Sequence, residues 1–125
     1  MRLLLDTHAL LWWLAGGDAL STAAREAIES PESLVYVSAA SAWEMSIKRA
    51  QGRLDSPTDV VDAIAANGFR ELPVEVAHAQ SIGSLPLHHA DPFDRILIAQ
   101  AQVEGLTIVT RDRAFEAYEV PLLTA

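Results

Sequence analysis

The sequence predicts a three-layer α/β/α fold in which a short, mostly parallel sheet of about five strands is covered by helices on both faces. Three observations lead there. Short apolar runs alternate with segments of helical spacing, a pattern that calls for right-handed crossovers between parallel strands. Half of the residues (50%) are hydrophobic but only 6% are aromatic, which suits helices packed on an aliphatic sheet. The length, 125 residues, matches one ordinary domain spanning 1–125, with no linker, internal repeat or low-complexity tract.

The elements follow in order. Arg2 to Leu5 is an apolar strand ending at Asp6, and Thr7 to Ala15 has helical spacing until Gly16-Gly17 breaks it. Ser21 caps a helix running to Ser30, stopped by Pro31. The β-branched and aromatic run Leu34 to Val37 is the second strand. Ser38 or Ser41 starts the next helix, with Trp43, Ile47 and Ala50 on its apolar face and Gly52 as its stop. Ser56-Pro57 reads as a cap followed by proline at the first helical position, opening a helix to Ala66 that Asn67-Gly68 ends. Phe69 to Val74 is a weaker strand that Pro73 confines to an edge. A helix over Val76 to Ser81, a loop from Leu85 to Pro92, and a strong helix from Phe93 to Val103 ended by Gly105 come next. Leu106 to Val109 is a clear strand, and Val120 to Leu123 a last short one.

The absence of cysteine removes disulfides and thiolate metal sites and fits a reducing cytoplasm. Asp6 interrupts the N-terminal leucines, so no signal peptide is expected. No uncharged run approaches the ~20 residues of a membrane helix, and a soluble protein without a membrane partner is expected. The formal charge of −8 argues against tight non-specific binding of nucleic acid, which relies on cations that neutralise phosphates. An acidic enzyme of nucleic acids therefore needs metal ions or local basic patches. Six of the nine cations stand close in sequence to three acids: Lys48, Arg49 and Arg53 after Glu44, Arg95 after Asp94, and Arg111 and Arg113 around Asp112. Ordinary solvated charge mixing is the alternative reading.

Carboxylates recur where strands end and helices begin. Asp6 closes the first strand, Glu44 lies in the first turn of the helix after the second, Asp91 and Asp94 open the helix before the fourth, and Asp112 follows that strand. Ligands of open α/β sheets sit beyond the carboxyl ends of the strands, which is where these acids point. Each also has an ordinary explanation. Glu44 completes a capping box with Ser41, Asp91-Pro92-Phe93-Asp94 is a helix start, and Asp112 is a turn residue beside its arginines. Asp6 needs no such role. If they converge, the donor set is all oxygen, which Mg²⁺ or Mn²⁺ prefers. Asp6 and Asp94 would be the principal ligands, with Glu44, Asp112 and Asp91 completing or orienting the site. Such an ion acidifies bound water and neutralises charge on a phosphodiester. Arg95, Arg111 and Lys48 would then hold phosphates, with Thr7 and Thr110 as hydroxyl contacts or simple turn residues. His89 is a possible substrate contact, and zinc would want more His or Cys than the chain offers. Of the adjacent indoles Trp12 and Trp13, one is expected in the core and the other facing a partner, with stacking on RNA bases as a further use.

The blocks LLLDTHALLWWLAG, SAASAWEMSIKRAQGRL and LPLHHADPFDRILIAQAQVEGLTIVTRDRAF, in this order and spacing, resemble the PIN-domain family, and within it the VapC-type toxins of toxin–antitoxin systems. The resemblance runs over essentially the whole chain. It implies a PIN-like α/β/α sandwich and Mg²⁺- or Mn²⁺-dependent endonucleolytic cleavage of RNA, tRNA or other single-stranded regions included. It also implies homodimerisation and inhibition by a cognate antitoxin. Asp6, Glu44, Asp94 and Asp112 occupy the family's acidic positions, with Asp91 an additional acid. Two rivals stand beside it. One is a phosphatase with Asp6 as nucleophile, whose usual second Asp is here His8. The other is a catalytically inactive PIN-like or receiver-like module that only binds a partner.

Overall fold

A computed structural model describes all residues, 1–125. Five strands form one sheet: β1 (Arg2–Leu5), β2 (Leu34–Ser38), β3 (Arg70–Leu72), β4 (Thr107–Thr110) and β5 (Leu122–Thr124). Their order is β3-β2-β1-β4-β5 and every pairing is parallel, so β1 and β4 meet at the centre. Six helices connect them: α1 (Thr7–Ala15), α2 (Thr22–Glu29), α3 (Ala39–Ala50), α4 (Val60–Ala66), α5 (Val76–Ser81) and α6 (Pro92–Glu104). Short 3-10 turns cover Ile82–Ser84 and Arg113–Ala117.

Strand alternation explains the two cores. Leu3 and Leu5 of β1 join Val35, Val37 and Val109 on one face, where Ala9, Leu10, Ile28, Met45 and Ile64 of α1 to α4 cover them. Leu4 points to the other face and packs with Ile108, Leu97, Ile98 and Phe115. Burial on both sides is why the strands read as continuous apolar runs instead of alternating ones. The strand order reverses direction around β1 and β4, the place where open α/β sheets bind ligands beyond the carboxyl ends of their strands. No helix is long and apolar enough to cross a membrane.

Several boundaries differ from the sequence expectation, each for a local reason. Helix α4 begins at Val60 and not at Ser56-Pro57, because Asp59 is the cap: its Oδ1 accepts from the Asp62 N–H at 2.9 Å. Helix α3 begins directly after β2, capped by Ser38, whose hydroxyl accepts from the Ala40 N–H at 3.0 Å. That start places Glu44 in the second turn, not the first, and rules out its capping box with Ser41. It also reverses the helix face: Ala40, Ser41, Glu44 and Met45 are buried, whereas Trp43 and Ile47 are 62% and 37% exposed. β3 is shorter than the Phe69 to Val74 run and lies at the sheet edge, as Pro73 requires. The strong helix opens one residue earlier, at Pro92, and ends at Gly105 in the left-handed region (φ 69°), where a side chain would be strained.

Candidate active site

Asp6 leaves the central strand and starts α1. Its backbone N–H donates to the Val109 carbonyl at 3.1 Å, fixing the end of β1 against β4. Its Oδ1 accepts from the Ala9 N–H at 2.8 Å, so Asp6 does have a capping role that its strand setting concealed. The side chain is buried, and burial pushes its pKa above the ordinary carboxylate value. A hydrogen bond from Thr110, the Ala9 N–H and the nearby His8 oppose that rise, while Asp112 adds to it. Thr110 itself is buried at the end of β4, and its Oγ1 accepts from the Asp112 N–H at 3.1 Å.

The other acids come from both flanks. Glu44, buried on α3, accepts from the Thr7 hydroxyl at 2.6 Å through Oε1 and pairs with Lys48 at 2.6 Å through Oε2. Asp94, in the first turn of α6, has its Oδ2 2.7 Å from His89 Nε2. Burial is the main cause that raises its pKa to about 6, with Asp91 and Glu44 adding repulsion and His89 opposing. Asp112 Oδ2 lies 3.8 Å from the same His89 nitrogen, and His89, Asp94 and Asp112 bring their ligand atoms within 4.8 Å of one another. Asp91 takes the capping role: its Oδ1 accepts from the N–H groups of Phe93 at 2.8 Å and Asp94 at 3.2 Å. Asp6, Glu44, Asp94 and Asp112, far apart in sequence, are thus linked through Thr7, Thr110 and His89 into one cluster at the carboxyl end of the sheet.

The expected phosphate contacts divide. Arg95 is a correction: it is buried, and its guanidinium donates to the carbonyls of Pro86 (2.9 Å), Ile82 (3.3 Å), Leu85 (3.4 Å) and His89 (3.4 Å) and to the Tyr118 hydroxyl (3.2 Å). Five fixed acceptors leave it as a strut that holds the 82–89 segment, with nothing to offer a phosphate. Lys48 is tied to Glu44. Arg111 is exposed on the rim. Sequence reasoning missed the bridging place of His89, because nothing in the spacing of HHADPFD says that the residue reaches Asp112. It also gave Thr7 no link to Glu44, a contact between β1–α1 and α3 that only folding creates.

The donor set suits a hard divalent cation. Carboxylate oxygens predominate, two of the acids are pushed towards protonation by burial and neighbouring charge, and Lys48, His89, His8 and the Thr7 hydroxyl are the cationic or proton-donating side chains beside them. Asp94, Asp112 and His89 have their ligand atoms at the spacing a divalent ion would need, and Asp6 and Glu44 stand near enough to them to add their charge.

Two stability measurements test this crowding without metal. Because Asp94 is raised in the native state, the folded chain keeps a proton between about pH 4 and 6 that the unfolded chain releases, so acidification stabilises. In chelator, lowering the pH from 7 to 5 should add on the order of 1 kcal/mol to the wild type relative to Asp94→Asn, measured by urea unfolding; parallel pH profiles would remove the crowding. Asp6→Asn retains a capping oxygen and loses the charge, so its metal-free Tm should rise by a few degrees; a fall of several degrees would contradict this.

The chain is similar to known proteins over nearly its whole length. The PIN domain family model matches residues 3–121. Ribonuclease VapC22 of Mycobacterium tuberculosis is 32% identical over 121 residues, covering 94% of this chain and 92% of the relative. Among solved structures, VapBC2 from Rickettsia felis bound to a promoter DNA fragment aligns with a TM-score of 0.74 at 14% identity, over 98% of both chains. A toxin–antitoxin complex from Klebsiella pneumoniae aligns with a TM-score of 0.63 at 21% identity, over 97% of this chain and 95% of the other. A match to nearly every residue, a full-length relative and the shared fold lead to one assignment: the chain belongs to the PIN-domain family, in its VapC-type branch.

Proposed function

We propose that this protein is a Mg²⁺- or Mn²⁺-dependent endoribonuclease, the toxin of a toxin–antitoxin pair. The observation that carries this reading is the carboxylate cluster at the end of β1 and β4, in which Asp6 and Glu44 are buried and the pKa values of Asp6 and Asp94 are raised, chiefly by burial. A bound divalent ion supplies water acidification and charge neutralisation at a phosphodiester. The chain's own residues do the positioning. Thr110 and Ala9 N–H hold the Asp6 carboxylate, and Thr7 and Lys48 hold that of Glu44, so both present fixed oxygens to the site. His89 keeps Asp94 and Asp112 close by placing a ring nitrogen between them.

Partners follow from the surface and the relatives. Trp43 packs edge-on against Phe93 at 5.1 Å, on an exposed apolar face with Ile47 beside the acids. Such a face suits coverage by protein, and a homodimer is the occupant in this reading. The likeness to toxin–antitoxin complexes supports a cognate antitoxin as the second partner.

Purified protein incubated with tRNA or single-stranded RNA should cleave in Mg²⁺ or Mn²⁺, stop in chelator, and lose at least about 100-fold in rate as Asp94→Asn with its circular dichroism unchanged. Cleavage that survives chelation, or an Asp94→Asn variant as active as the wild type, would refute it.

A further inference from the structure

The exposed side of α1 carries an arrangement that the acidic cluster does not use. His8 and, one turn on, Trp12 have their rings 5.8 Å apart at 43°. His8 lies in the first turn of α1, the helix that Asp6 caps, so the pair starts beside that carboxylate. Arg111, between Thr110 and Asp112 in sequence, lays its guanidinium carbon 4.2 Å from the Trp12 ring centroid. Its Nε and Nη2 donate to the Ala125 carbonyl at 3.1 and 3.0 Å, and Nη2 also donates to Ala19, while Nη1 makes no hydrogen bond. The guanidinium is thus stacked on one face and anchored on one edge, leaving the other edge free. Its side-chain freedom is already spent, so contact with an anion there requires little further ordering.

The electrostatics say what such an edge is for. A chain of charge −8 with buried acids repels a polyanion, so RNA approaching the cluster needs fixed cations beside it. Of the three cations expected to hold phosphates, Lys48 is paired with Glu44 and Arg95 is buried, so Arg111 is the one that keeps an unengaged edge to meet the backbone. We propose that His8, Trp12 and Arg111 form a holding station for the nucleotide that flanks the scissile phosphate of a single-stranded RNA. Arg111 Nη1 takes that nucleotide's phosphate, Trp12 is the positioning residue that fixes the guanidinium, and the exposed His8 ring meets the base. The station rests on the ribonuclease reading above.

Its test is binding of a short fluorescein-labelled single-stranded oligoribonucleotide in Mg²⁺, followed by anisotropy over a salt series. Asp94→Asn serves as the uncleaving parent, and Arg111→Gln, Trp12→Leu, Trp12→Phe and His8→Ala are added to it. Arg111→Gln should raise Kd about tenfold and lower the slope of log K against log salt by about 0.7, the share of one phosphate on a single strand. Trp12→Leu should reproduce most of both changes, and Trp12→Phe, which still offers a ring to the guanidinium, should restore them. His8→Ala should weaken binding severalfold with the slope unchanged. Loosened packing alone would move the melting temperature and not the slope. A parent that binds RNA while Arg111→Gln and Trp12→Leu match it in Kd and slope overturns the station but not the ribonuclease reading, and leaves this surface to a protein partner. A parent that neither binds RNA nor, with Asp94 restored, cleaves it overturns both.

Discussion

Carboxylates that the fold forces together, two of them out of water and with few cations among them, are the constraint on which the site depends. An isolated buried carboxylate is costly, and neighbours of like charge add to that cost. The parallel sheet nevertheless sends Asp6 from the end of β1 and Asp112 from just beyond β4 to the same edge, and α3 and α6 bring Glu44 and Asp94 against them. The aliphatic cores on the two faces supply the stability that allows this one unfavourable corner to persist. A site arranged in this way favours whatever neutralises it, either protons or a divalent cation.

The scaffold manages the crowding with backbone groups. Asp6 caps α1, Asp91 caps α6 and Asp112 caps the following 3-10 turn, each through Oδ1. A helix N-terminus is the backbone feature that favours negative charge, so the caps both begin the helices and stabilise the acids. Structural and functional readings of these residues are therefore not alternatives. One oxygen of each carboxylate is committed to the fold, and the other is free of that commitment. The basic residues show a similar economy: Arg95 gathers the carbonyls of the 82–89 segment, which delivers His89 to Asp94 and Asp112.

Much of this was legible in the amino-acid order. The apolar runs at Arg2 to Leu5, Leu34 to Val37 and Leu106 to Val109 announce central parallel strands, since side chains buried on both faces leave no polar alternation to confuse with a helix. The acids at strand ends were likewise visible, because strand polarity says which end carries a site. What failed was periodicity where an apolar residue is exposed: Trp43 and Ile47 look like the buried stripe of α3, yet that stripe is Ala40, Ser41, Glu44 and Met45. Glu44 and Ser41 are polar, so hydrophobicity alone gives the wrong face. The roles of Arg95 and His89 were out of reach for a different reason. Both depend on how a non-repetitive loop folds back on α6, and loop conformation has no period to read.

In the proposed site, Asp6 and Asp94 contribute to one divalent-cation pocket. Uptake of Mn²⁺, followed by loss of the free-ion paramagnetic resonance signal, tests it without RNA, partner or turnover. Saturable uptake by the wild type, weakened at least about tenfold by Asp6→Asn and by Asp94→Asn alike, is the result expected of a shared pocket. Uptake untouched by either change, or two substitutions that each abolish a separate class of site, would contradict it.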